Sequence, residues 1–451
     1  MQGVTANGVS PKLVMLNNTA MKILNSSQVS AFGGLNFVLE ELDRQGIGQV
    51  LNDSLPILSS QSRFDWRDLL YSFWSIYFCG GDCAEDLSAN LGSCLRNMPG
   101  LKAPSPDRVL NRMKELAMEK VAFTAKRGHA THEMDFNDRL NALNLNVLKK
   151  LNPEGLHADV LDYDNTVLFT EKADARRTYL KGTGYCPGVG IMGQHVVYVE
   201  NRNGNSDAQT LQHDTLQRMF SVLCLAGIKA KAFRADSASY QFETISVVNQ
   251  HVDKFYIRAR MSQSTARAIA GITDWEEVNI GGQKLLRGET LFTPFKQAAR
   301  RAGKQQLLRE YRLIATKMPR ADGQINVFTG EACNYSPLVT SDMEMERDEV
   351  VFFYNARGNA EREFDVLKND FGWNHMPFSK LNENTVFLLL TAMCRNIYAH
   401  IIRSFSRRFK GLRASFRIKK FIFRFICIPA RWIRHARGHY LRMYGSIAIR
   451  T

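Results

Sequence analysis

From residue 156 onward, segments that read as strands alternate with segments of helical period. His157–Asp162, Gln194–Glu200, Lys229–Arg234 and Lys254–Met261 read as strands, and Ala208–Leu225 and Ser239–Gln250 as helices. Strands separated by helices pair side by side in one sheet with the helices packed on its faces, so the alternation restricts this region to an α/β architecture. Residues 262–346 interrupt it as an insertion: a β-leaning stretch with Trp275 and the turn Gly281-Gly282-Gln283, a basic segment Lys296–Arg312, and a loop-like Met318–Asp342. The α/β pattern resumes with an expected strand Glu349–Tyr354 and a helix from Gly358 to about Phe371.

The first 155 residues read as mainly helical, with apolar positions recurring at three and four in Phe64–Cys79, Glu85–Met98, Pro106–Val121 and Asp135–Leu151. Ser105 before Pro106 is a helix start, a capping hydroxyl followed by the ring that suits the first helical position. Residues 85–98 and 105–121 could pair as a helix-turn-helix whose second helix offers Arg108 and Arg112 to a DNA groove. A helical support or dimerisation region fits the same pattern. The resulting division is 1–155, 156–261, 262–346, 347–400 and 401–451.

Charge is concentrated at one end. The chain holds 59 Lys and Arg against 44 Asp and Glu, and residues 401–451 carry 14 of those cations and no acid. A near-neutral body with one basic block points to a local polyanion, with nucleic acid ahead of a membrane surface. Within the block, 415–428 looks strand-like, and a helix is expected after Pro429 that places Arg431, Arg434 and Arg437 on one side for phosphate contacts. The longest apolar stretch, Val386–Cys394, falls short of the roughly 20 residues that cross a bilayer, and the opening MQGVTANGVSPKLVML has no signal-peptide pattern. The eight cysteines lack metal-ligand spacing and read as reduced thiols. A cytoplasmic protein with no membrane partner is expected.

Three acids stand where a metal site of an α/β enzyme gathers: Asp164 and Asp236 at strand ends, Glu361 on the helix after the resumed strand. Carboxylates from separate elements suit Mg²⁺, which keeps several waters and takes few protein oxygens. Arg357, Glu361 and Lys368 are spaced by four and seven, so at about 100° per residue they share one helix face. The plain alternative is a solvated Arg357–Glu361 pair contributing about 0.3–0.5 kcal/mol. Asp162 lies on the same side of its strand as Asp164, and Glu363 lies about 200° round the helix from Glu361.

With Tyr354 added, the string Tyr354-Asn-Ala-Arg357-Gly-Asn-Ala-Glu361 and Lys368 resembles the Tyr-Arg-Glu-Lys signature of bacterial insertion-sequence transposases of the DDE class. Asp164-Asn165-Thr166 resembles their first-Asp motif and Arg234-Ala235-Asp236-Ser237 their second. Gly184-Tyr185-Cys186-Pro187, Arg202-Asn203-Gly204-Asn205 and Gly80-Gly81-Asp82 agree further. The resemblance implies a ribonuclease-H-like catalytic core interrupted by a mainly β insertion, with Asp164, Asp236 and Glu361 holding Mg²⁺, or Mn²⁺ as a substitute. It implies cut-and-paste chemistry on double-stranded DNA: cleavage at terminal inverted repeats and joining of 3′ hydroxyls to target DNA by a homodimer. Tyr354, Arg357 and Lys368 would contact the DNA end, and Trp275 would either stack on a flipped base there or pack the insertion. A bacterial, nucleoid-associated location follows from the same likeness. A regulator with an inactive site and a ribonuclease-H-like nuclease without strand transfer are the competing readings.

Overall fold

The computed structural model describes residues 12–16, 19–23, 29–124, 130–156, 158–280, 282–436 and 438–449. Parts of the expectations for the N-terminal stretch, for His157, for Gly281 and for Arg437 fall outside these residues.

Among the described residues one mixed sheet holds eleven strands: β1 (Val121–Thr124), β2 (Thr131–Asp135), β3 (Val160–Asn165), β4 (Gly188–Met192), β5 (His195–Arg202), β6 (Ala232–Ala235), β7 (Lys254–Arg258), β8 (Glu276–Ile280), β9 (Gln283–Phe292), β10 (Tyr311–Pro319) and β11 (Cys333–Thr340). Their order across the sheet is β8-β9-β10-β11-β7-β6-β3-β4-β5-β2-β1. In the centre β3, β6 and β7 run parallel, while β4 is antiparallel to β3 and β5 antiparallel to β4. The strands of 262–346 do not form a separate sheet. They extend this one, because β11 pairs antiparallel with β7.

Side chains leave successive strand residues on opposite faces, so the sheet feeds two cores. Val189, Ile191, Val196 and Val199 enter one, with the helices Trp66–Phe78, Asp138–Leu151 and Leu381–Arg408. Leu161, Tyr163, Met192 and Val197 enter the other, under the helices Gln212–Leu225 and Phe242–His251. The 28-residue helix Leu381–Arg408 is apolar enough by composition to cross a membrane, but its most apolar stretch is 94% buried within the protein. A helix apolar on every side is what a core position requires. Trp74 Nε1 donates to Leu390 O at 2.9 Å, and Asn396 accepts from Val196 N at 2.9 Å while donating to Val196 O and Asn144 Oδ1.

Several segments depart from the sequence-based expectation. Glu349–Tyr354 is not a strand but lies in a helix, Arg347–Asn355. Its apolar run is β-prone, yet the fully buried members are Val350 and Tyr354, four apart, with Val351 and Phe353 partly buried beside them, while Phe352 is 81% exposed, and Asp348 and Glu349 favour a helix start. Met318–Asp342 contains β11, where Pro337 sits just beyond the end of β7 and its carbonyl accepts from Ala259 N at 2.9 Å. Residues 121–135, expected to be a helix end and its connection, supply β1 and β2. Segment 85–98 breaks into the turns Asp86–Ala89 and Gly92–Arg96, so the first half of the expected helix-turn-helix is not a continuous helix. The start at Ser105 holds, with its hydroxyl accepting from Arg108 N.

The basic tail inverts the expected elements. Ile418–Phe421 and Ile422–Ile426 are helical turns, because Phe421 and Phe425 stack at 5.3 Å and bury together against Phe405, while Phe423 is exposed. The helix expected after Pro429 is a hairpin, Ala430–His435 with Gly438–Met443. Trp432 lies opposite Leu441 and donates from Nε1 to Asn36 Oδ1 at 3.0 Å.

His195, at the start of β5, is buried among Arg403, Arg395 and His400; burial first and then those charges bring its imidazole down to about 3. Below the ordinary value near 6.5, the unfolded chain takes up a proton that the folded chain refuses, so stability falls as pH drops from there toward 3. His195→Leu is expected to remove about 2 kcal/mol of the stability difference between pH 7 and pH 5. Urea unfolding at the two pH values measures it; an unchanged difference would place the proton-sensitive group elsewhere.

Candidate active site

Parallel pairing of β3 with β6 puts Tyr163 against Ala235. The residue that follows each of these is an acid, Asp164 in the strand and Asp236 just past its end, so both emerge at the same end of the two strands. Burial, followed by the charge of Asp236, pushes the Asp164 carboxyl up to about 6 against the pull of Arg357. Asp236 Oδ1 accepts from Ala238 N at 2.9 Å, which turns the chain away from the strand end.

Glu361 approaches from the helix Gly358–Asp370, which begins immediately after Arg347–Asn355. Arg357 stands at the junction. Its Nη1 donates to Asp164 Oδ2 at 2.8 Å and its Nη2 to Glu361 Oε1 at 3.3 Å, so one guanidinium links the first strand's acid to the helix's acid. The expected i,i+4 pair is therefore present and is also part of a larger cluster. The carboxylate oxygens of Asp164, Asp236 and Glu361 do not all lie within 4.8 Å of one another. Among the described residues only Asp82, Cys83 and Asp86 form a group that close, on an exposed turn where Asp86 Oδ2 already accepts from Asp82 N.

Tyr354 is buried and lies under the Arg258 guanidinium, 5.4 Å from ring centroid to carbon. Together with Asp236, Ser237, Arg357 and Gly358 they line a cleft of about 250 Å³. Lys368 Nζ donates to Val167 O at 3.0 Å, and burial lowers its ammonium from the ordinary value. It thus secures the segment leaving β3 rather than standing free in solvent.

The neighbouring acids are committed elsewhere. Asp162 receives both Nε and Nη2 of Arg234 at 2.7 Å, and Arg234 Nη1 also donates to Phe353 O. This buried fork ties β3, β6 and the Arg347–Asn355 helix together. Glu363 accepts from Arg395 at 3.0 and 3.1 Å, away from Glu361. Arg258 at the end of β7 and Arg260, which donates to Ser237 O at 2.7 Å, complete the surround. Sequence reasoning passed over both; their only signal was a cation at and just beyond a third parallel strand end.

The remaining candidates lie apart. Trp275 donates from Nε1 to Ile272 O at 3.0 Å, packs on the second core and has Lys317 Nζ over its ring. Arg112 pairs with Glu115 at 2.6 Å, and exposed Arg108 lines a cleft with it and Arg63. Arg434 is exposed on the C-terminal hairpin, and Arg431 stands opposite Arg442 there.

Asp162→Ala is expected to destabilise the protein by about 3–5 kcal/mol, because it strands a buried guanidinium. Asp164→Asn is expected to hold or raise the melting temperature in metal-free buffer, since it removes a charge that burial and Asp236 both disfavour. Thermal unfolding of the two variants at pH 8 checks this, and equal losses would contradict the division of roles.

Residues 22–451 match the family described as transposase DDE domain group 1. No curated protein matches the chain. A cryo-EM structure of a piggyBac transposase synaptic complex with hairpin DNA is similar at 12% identity, with a TM-score of 0.40, over 87% of this chain and 78% of that one.

Proposed function

The chain belongs to the transposase DDE domain group 1 family, and we propose that it is the DNA-cleaving and DNA-joining enzyme of an insertion sequence. In this reading it binds the element's terminal inverted repeats, hydrolyses phosphodiesters at the ends to expose 3′ hydroxyls, and joins those hydroxyls to target DNA. The observation that carries it is the position of Asp164 and Asp236 one residue past the Tyr163–Ala235 pair of two parallel strands, with Arg357 linking Asp164 to Glu361. The succession β5-β4-β3-β6-β7, with its antiparallel and parallel pairings, supports a ribonuclease-H-like core, and β8 to β11 then form the insertion between the second Asp and the Glu.

The donor set fits a divalent cation. It consists of hard carboxylate oxygens, one of them raised by burial and by a neighbouring negative charge that a cation would offset. Asp164, Asp236 and Glu361 would hold Mg²⁺, or Mn²⁺ in its place. Such ions, when bound, polarise the scissile phosphate and acidify the attacking water or 3′ hydroxyl. The chain's own cations do the positioning. Arg357 lies where a phosphate at the DNA end would meet it, Tyr354 holds Arg258 over the cleft, and Lys368 fixes the segment that follows Asp164. Arg108, Arg112, Arg431 and Arg434 are suited to sequence-independent backbone contacts further along the duplex. Two ends must be processed together, so a homodimer on DNA is part of the proposal.

The test incubates purified protein with labelled duplexes carrying the inverted repeats that flank its gene, target plasmid and Mg²⁺. Joined product, two protomers per end pair, and loss of both steps in Glu361→Gln are expected. Cleavage without joining would make the protein a nuclease, binding without cleavage a regulator, and a fully active Glu361→Gln would remove the third ligand.

A further inference from the structure

Directly after Asp164 the chain builds a small sheet from Leu168–Phe169, Arg176–Arg177 and Thr183–Tyr185. Its base is anchored. Asp174 Oδ1 accepts from Tyr185 Oη at 2.6 Å and from Leu381 N at 3.0 Å, Asp174 Oδ2 pairs with Lys120 at 3.2 Å, and Ala173 N donates to Ser379 O.

Its tip is a tight turn. Thr178 N donates to Gly182 O at 2.7 Å, and Lys181, with φ of 70°, donates back to Thr178 O. A Cβ on Gly182 would come within 2.5 Å of the Phe169 ring, so glycine is what lets that ring close over the turn. The tip projects Tyr179, 65% exposed, and Leu180, flanked by exposed Arg176, Arg177 and Lys181. Among the described residues no acid pairs with these three cations, and segment 175–183 contains none. The strands that carry this tip leave and rejoin the main sheet at the strand end of Asp164: Leu168 pairs with Tyr185, and Asn165 of β3 lies opposite Gly188 of β4.

A solvated turn carries mixed charge and small polar residues. This one carries an exposed ring flanked by three cations on the segment that leaves the strand end of Asp164, a combination that matches a nucleobase flanked by phosphates. We propose that the tip grips the DNA end, with Tyr179 stacking on an unpaired base next to the phosphate presented to Asp164 and Asp236, and Arg176, Arg177 and Lys181 holding the phosphates around it. The proposal rests on the reading of those acids as a DNA-cleaving site. Trp275, the aromatic that the sequence offered for stacking, is engaged with Ile272 O and Lys317.

The experiment compares the full chain's binding to a blunt duplex and to the same duplex ending in a short unpaired fork, with 2-aminopurine as the first unpaired base. The fork is expected to bind about tenfold more tightly, with quenched fluorescence. Tyr179→Ala is expected to lose both effects and keep its affinity for the blunt duplex, while Tyr179→Phe keeps both. Equal binding of the two probes by the parent, or an unchanged preference and quench in Tyr179→Ala, would overturn the grip. So would a Tyr179→Phe that behaves like the alanine variant, since the ring would then not be the contact. If Glu361→Gln abolishes cleavage while fork and blunt duplex bind alike, the grip falls and the cleavage site stands. If neither probe binds, both fall together.

Discussion

The register between two parallel strands governs the site. With Tyr163 held against Ala235, the next residues must be neighbours, and both are acids. Burying one acid beside another is unfavourable, and the Asp164 carboxyl, raised first by burial and then by the charge of Asp236, records that cost. What keeps them there is the buried fork of Arg234 on Asp162, which fixes one strand to the other two residues before the acids appear. A slip of one residue would turn Asp164 to the opposite face of the sheet and Asp162 out of its partner's reach.

Around that pair the protein uses arginine as a bridge. Arg357 closes the distance between the strand that bears Asp164 and the helix that bears Glu361, and it does so at the joint between two helices, where a small change of backbone angle moves Glu361 relative to the sheet. The arrangement suits a site whose carboxylates gather when cations and DNA supply compensating charge. Helices and loops far away in sequence brace it: Lys368 on the chain leaving Asp164, Arg260 on the turn leaving Asp236, and Arg395 drawing Glu363 aside.

Much of this was legible because strand ends announce themselves. The alternation of apolar strands and helices located Asp164 and Asp236, and helical spacing joined Arg357 to Glu361. The misreadings share a cause. Val350 to Tyr354 and Phe421 to Phe425 are runs of β-prone residues, and propensity favoured strands where burial at every fourth residue dictated helix. After Pro429 the reverse happened: arginines three apart suggested a helix, while alternation of Ala430 and Trp432 toward Asn36 made a strand. Arg258 beside the cleft and the engagement of Asp162 by Arg234 had no local signature. Each depends on which strand lies beside which, and that is settled only when the sheet closes.

The central claim is that Asp164, Asp236 and Glu361 form one cation site. The most direct measurement is an anomalous-scattering map from crystals of the protein with bound duplex DNA and Mn²⁺. The account requires a peak between the Asp164 and Asp236 carboxylates, with Glu361 drawn off Arg357 toward it. Mn²⁺ at Asp82 and Asp86 alone, with the strand-end acids bare, would contradict it.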